Sequence, residues 1–109
     1  MVLSKYCTKF IPANVNNYYG ARKDIKIDRI IIHHMAAVWT AQRCGESFQN
    51  PSRGGSSNYG IGNDGEINGY VAEDYISGAS NNYTADSHAI TIEVSNSVYG
   101  NAGGWPVSD

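Results

Sequence analysis

The chain has 109 residues, of which 41% are hydrophobic and 17% charged, a balance that fits one globular domain and excludes both two domains and wholesale disorder. Its 8 basic and 10 acidic residues leave a formal net charge of −2, so no basic field for nucleic acid is present. No apolar run approaches the roughly 18 residues that a membrane span needs.

The opening stretch Met1 to Lys9 lacks the basic-then-apolar order of a secretory signal, and synthesis in the cytoplasm is expected. Cys7 and Cys44 are too few and too isolated for a disulfide framework or a CxxC metal site, and are expected to be plain thiols. Residues 1–24 are polar and irregular, punctuated by Pro12, Asn14, Asn16, Asn17 and Gly20. They are expected to form an extended arm over a domain that begins at residue 25.

The stretch Ile25 to His33 starts with alternation and ends in three consecutive isoleucines. That pattern predicts a central strand buried on both faces, with His33 at its C-terminal end. A helix is predicted over Thr40–Gln49, with Thr40 as N-cap and Ala41, Cys44 and Phe48 on one side. Pro51 and the Gly54-Gly55 pair then force a loop. A hairpin follows, with Ser57–Gly62 and Glu66–Val71 joined by an Asn63-Asp64-Gly65 turn. After a Ser- and Asn-rich loop, Ala89–Asn96 reads as a strand with Ile90, Ile92 and Val94 on one face and Thr91, Glu93 and Ser95 on the other. The last residues, Gly103–Asp109, read as a loop whose Ser108 or Asp109 would cap a further helix. One short helix on a mostly β chain leaves a sheet face uncovered, so the sequence is expected to stop short of its last helices.

Two residues stand out chemically. His33 and Glu93 lie towards the C-terminal ends of strands expected to be neighbours, at the edge where open α/β sheets gather ligands. A neutral imidazole ligates zinc well, and a carboxylate beside bound metal can take a proton from attacking water. Taken alone, each residue reads first as ordinary structure: a strand-ending hydrogen bond and a solvated carboxylate. Two motifs mislead. Gly60-Ile61-Gly62-Asn63-Asp64-Gly65 satisfies the dinucleotide pattern G-x-G-x-x-G, but the residues after it read as a strand rather than a helix, and its glycines serve a turn. Asn82-Tyr83-Thr84 matches a glycosylation acceptor pattern, by itself a weak signal.

Three segments together resemble the type 2 N-acetylmuramoyl-L-alanine amidase family, which includes phage endolysins, bacterial autolysins and animal peptidoglycan recognition proteins. They are Ile30-Ile31-Ile32-His33-His34, Ser56-Ser57-Asn58-Tyr59-Gly60-Ile61-Gly62, and Ala89-Ile90-Thr91-Ile92-Glu93-Val94-Ser95-Asn96. The stretch Phe48–Arg53 and the ending Gly104–Asp109 resemble prophage amidases of gut Firmicutes. The resemblance implies an α/β fold, a mixed central sheet flanked by helices and lacking the C-terminal helices. It implies a zinc-dependent hydrolase that cuts the amide between the muramic acid lactyl group and L-alanine in bacterial peptidoglycan, acting on the cell wall after release from the cytoplasm. His33 matches the family's first zinc ligand and Glu93 its general base; Asn58 and Tyr59 match the strand that lines the cleft. His34 is given a structural role and His88 a surface or cleft-edge role. The family's second and third zinc ligands belong to a later His…Cys-Pro segment that this sequence does not contain, so the 109 residues alone are not expected to hold catalytic zinc. A peptidoglycan-binding module without catalysis, or an inactive fragment that self-associates through its uncovered sheet face, are the alternatives.

Overall fold

The computed structural model describes residues 1–96. In chain order the elements are β1 (Lys9–Phe10), a 3₁₀ turn over Val15–Asn17, β2 (Tyr18–Ala21), β3 (Arg29–His34), α1 (Ala41–Phe48), β4 (Tyr59–Ile61), β5 (Ile67–Gly69), β6 (Tyr75–Ser77), α2 (Tyr83–Ser87) and β7 (Ala89–Val94). Five strands form one sheet in the order β1-β5-β4-β7-β3, and β2 pairs with β6 in a small second sheet. The large sheet is mixed: β4 and β5 are antiparallel, while the β1/β5, β4/β7 and β3/β7 pairs are parallel. The architecture is α/β, as the sequence implies.

Helix α1 follows its cues closely. The Thr40 hydroxyl accepts from the backbone N–H of Arg43, and Ala41, Cys44, Gly45 and Phe48 are buried. These side chains pack with Ile11, Ala13, Tyr70 and Val71 into the main core cluster, where the Phe48 and Tyr70 rings meet edge to face at 5.4 Å. The hairpin also forms as read. Gly65 has φ +86°, a value that glycine adopts without strain, and its N–H donates to the carbonyl of Gly62.

The first strand differs from its expected form. Its pairing with β7 starts only at Arg29, and among the described residues β3 lies at the sheet edge, not in the centre. Ile30 and Ile32 are 65% and 66% exposed. A run of isoleucines records a preference for extended backbone, but it does not say whether the second face has a cover. Residues 1–24 contribute β1, the 3₁₀ turn and β2, short pieces whose polar residues give no alternation to read. Helix α2 is also unannounced by periodicity, since its five residues make little more than one turn. Asn82, the residue of the glycosylation pattern, caps that helix by accepting from the N–H of Ala85. The loop expected over Gly103–Asp109, with its capping Ser108 or Asp109, lies outside the described residues.

Candidate active site

Parallel pairing of β3 with β7 places His33 and Glu93 directly opposite each other. Register partners share a face of the sheet, so imidazole and carboxylate emerge side by side on the face that also carries Thr91. Gly60 is the partner of Glu93 on its other side, and the ring of Tyr70 lies over Gly60. A Cβ at that position would come within 2.7 Å of Tyr70 Cε2. Tyr70 in turn donates its hydroxyl hydrogen to the Ala41 carbonyl at 2.6 Å, tying the floor of the site to the first residue of α1.

Burial pushes the Glu93 carboxyl above its ordinary value, an effect offset in part by His33, then Arg53, then His34. A carboxyl raised in this way holds and releases a proton nearer to neutrality than a solvated one does. The Cys44 thiol, by contrast, is pushed up to about 12 by burial and then by the Glu93 charge. Its burial favours the protonated thiol at neutral pH.

The His33 imidazole is held from the other side. Its Nε2 lies 3.3 Å from the Ser80 hydroxyl. Beside this loop opens a cleft of about 270 Å³ lined by Asn16, Tyr19, Arg53, Gly55, Ala79 and Asn81, among others. Arg53 also stacks its guanidinium over the Phe48 ring, 5.5 Å from the centroid. One cation thereby lines the cleft and acts on Glu93. Nothing in spacing marks Arg53 or Ser80 as a site residue in the sequence, because each sits in a Gly/Ser/Asn-rich loop.

The structure does not bring Asn58 and Tyr59 to this site. Asn58 is fully buried. Its Oδ1 accepts from the backbone N–H of Thr91 at 3.0 Å, and its Nδ2 donates to the Val71 carbonyl at 3.0 Å. Tyr59 pairs with Ile92, so its side chain occupies the sheet face opposite to that of Glu93. There its hydroxyl accepts from the Ser4 N–H at 2.6 Å and donates to the Glu73 carboxylate, fastening the N-terminal segment. His34 alternates away from His33 and is exposed. His88 closes α2, with Nδ1 2.9 Å from the Lys26 carbonyl.

Among the described residues no three His, Cys, Asp or Glu side chains gather into a metal-binding group. Catalytic zinc takes three protein donors, whereas the described residues of this site bring together one imidazole and one carboxylate. The described residues therefore do not by themselves fit zinc. No helix among them is long and apolar enough to cross a membrane.

No curated protein matches the chain. The profile of the N-acetylmuramoyl-L-alanine amidase family matches residues 23–109, a span that includes β3, α1, the hairpin and β7. The chain belongs to the N-acetylmuramoyl-L-alanine amidase family, hydrolases whose substrate is peptidoglycan.

Proposed function

We propose that this site hydrolyses the amide between the muramic acid lactyl group and L-alanine, with Glu93 as general base and His33 beside it. The observation that carries the reading is the in-register pairing of His33 with Glu93 on one sheet face, within a chain of this family. Glu93 takes a proton from water as the water attacks the amide carbonyl, then passes that proton to the departing alanine nitrogen. Its raised affinity for protons suits the second half of that cycle. The cleft beside Arg53 offers room and a positive charge for a carboxylate of the peptide stem. The zinc implied by the family resemblance would need donors in addition to His33 beyond those the described residues gather. The outcome of the reaction is cell-wall lysis, as in the endolysins and autolysins that the sequence resembles.

The test is incubation of the chain with purified cell walls, followed by labelling of newly freed alanine amino groups. Glu93→Gln should lower their release by about 100-fold or more, the scale of a lost general base, while wall binding persists. Release that is undiminished in Glu93→Gln would remove Glu93 from the mechanism. A second reading, wall binding without hydrolysis, is favoured by the lack of a three-donor group among the described residues. It predicts co-sedimentation with walls and no alanine release from the wild type. The exposed Ile30 and Ile32 also favour self-association through that sheet face.

A further inference from the structure

Asp86 is fully buried, and nothing in the proposed chemistry uses it. Both of its carboxylate oxygens lie 3.1 Å from the backbone N of Ser80. Among the described residues this N–H is the carboxylate's hydrogen-bond donor, with the charge of Arg22 acting on it from nearby, and a buried carboxylate so used is costly unless the segment it fixes matters. Two further features set the shape of that segment. Asn81, the next residue, is held at φ +51°, in the left-handed region that Asn tolerates better than most residues. Asn82 then caps α2. The loop leaves the helix N-terminus in one defined path, and the result is that the Ser80 hydroxyl meets Nε2 of His33.

We propose that Ser80, hooked to Asp86, is a positioning residue: it commits Nε2 of the His33 ring and leaves Nδ1 as the working nitrogen. This rests on the reading of His33 as a residue of the active site. The two imidazole nitrogens are not equivalent, and the partner of one sets the tautomer and direction of the other. The hydroxyl acts only through His33 and touches no substrate, so its loss should leave substrate binding in place while spoiling the chemical step.

The experiment is ring-nitrogen NMR of His33 in the ¹⁵N-labelled chain at neutral pH, for wild type, Ser80→Ala and Ser80→Thr, alongside alanine-release kinetics. Wild type should show one tautomer, Ser80→Ala an averaged pair, and Ser80→Thr, which keeps the hydroxyl, the wild-type pattern. In the active enzyme Ser80→Ala should lower kcat by about tenfold or more, with KM changed by no more than about twofold. His33 ring signals indifferent to Ser80→Ala, or a Ser80→Thr chain as disturbed as Ser80→Ala, would overturn the proposal. A wild type that releases no alanine yet shows Ser80-dependent ring signals would sink the amidase reading and support this one. An active chain whose His33 ring ignores Ser80 would do the reverse.

Discussion

Glu93 shows how a single residue is set by its surroundings. Its carboxyl binds protons more tightly in the fold than in the unfolded chain, chiefly through burial. The folded protein therefore holds more protons than the unfolded one between the ordinary value of 4.5 and the raised value. Across that window stability falls as pH rises, and above it the ionised carboxylate is a standing cost. Glu93→Gln should accordingly raise the melting temperature at neutral pH and flatten its decline from acid to neutral. Thermal melts of both chains at several pH values check this, and a variant less stable than wild type at neutral pH would contradict it. Gain of stability with loss of activity is the signature of a group placed for chemistry. Asn58 is the opposite case. Its amide joins β7 to the segment following β5 through buried hydrogen bonds, so Asn58→Ala should cost roughly 2–4 kcal/mol in denaturant unfolding. A variant that lost wall binding at unchanged stability would instead restore Asn58 to the cleft.

At the scale of elements, the site depends on how closely β4 approaches the Tyr70 ring. Gly60 leaves no room for a methyl group there, and the ring cannot retreat without giving up its hydrogen bond to Ala41. Gly60→Ala should destabilise the protein by about 1–3 kcal/mol through overpacking, measured by urea titration. A neutral result would show that Tyr70 moves freely, and with it the floor beneath Glu93. Arg22 performs a related task at the other side of the fold. Its guanidinium donates to the carbonyls of Glu73, Asp86, Ser87 and Ala89, binding β2 to the end of α2 and the start of β7. This arginine lies in the stretch expected to be an extended arm, and its contacts explain how that stretch is held.

For the whole molecule, the two faces of the large sheet differ. One carries α1, the core cluster and the His33–Glu93 pair; the other carries Ile30, Ile32, Ile90 and Ile92, with Tyr59 covered by the N-terminal segment. A groove of about 180 Å³ runs there between Tyr6, Tyr59, Ile61, Ile67, Ile90 and Ile92. If that face drives self-association, replacing Ile32 with Lys should shift sedimentation of the chain towards monomer at concentrations where wild type forms larger species. A wild type that sediments as a monomer throughout would dismiss the idea.

Elements whose residues repeat with a period were legible from the amino acids alone: α1 with its Thr40 cap, the hairpin about Gly65, and the alternation of β7. The sequence also marked His33 and Glu93 as candidates near the ends of neighbouring apolar strands, while their residue-to-residue pairing came from the register of β3 on β7. Tertiary structure decided what periodicity cannot carry. Whether Ile30 and Ile32 are covered depends on neighbouring elements, so β3 is at an edge among the described residues. Which face a strand residue occupies relative to a distant partner depends on register, and register pairs Tyr59 with Ile92, on the face away from Glu93, while Asn58 is buried beside Thr91. Ser80, Arg53 and Asp86 come from loops and a one-turn helix, where contacts distant in the chain fix position and no local pattern announces them.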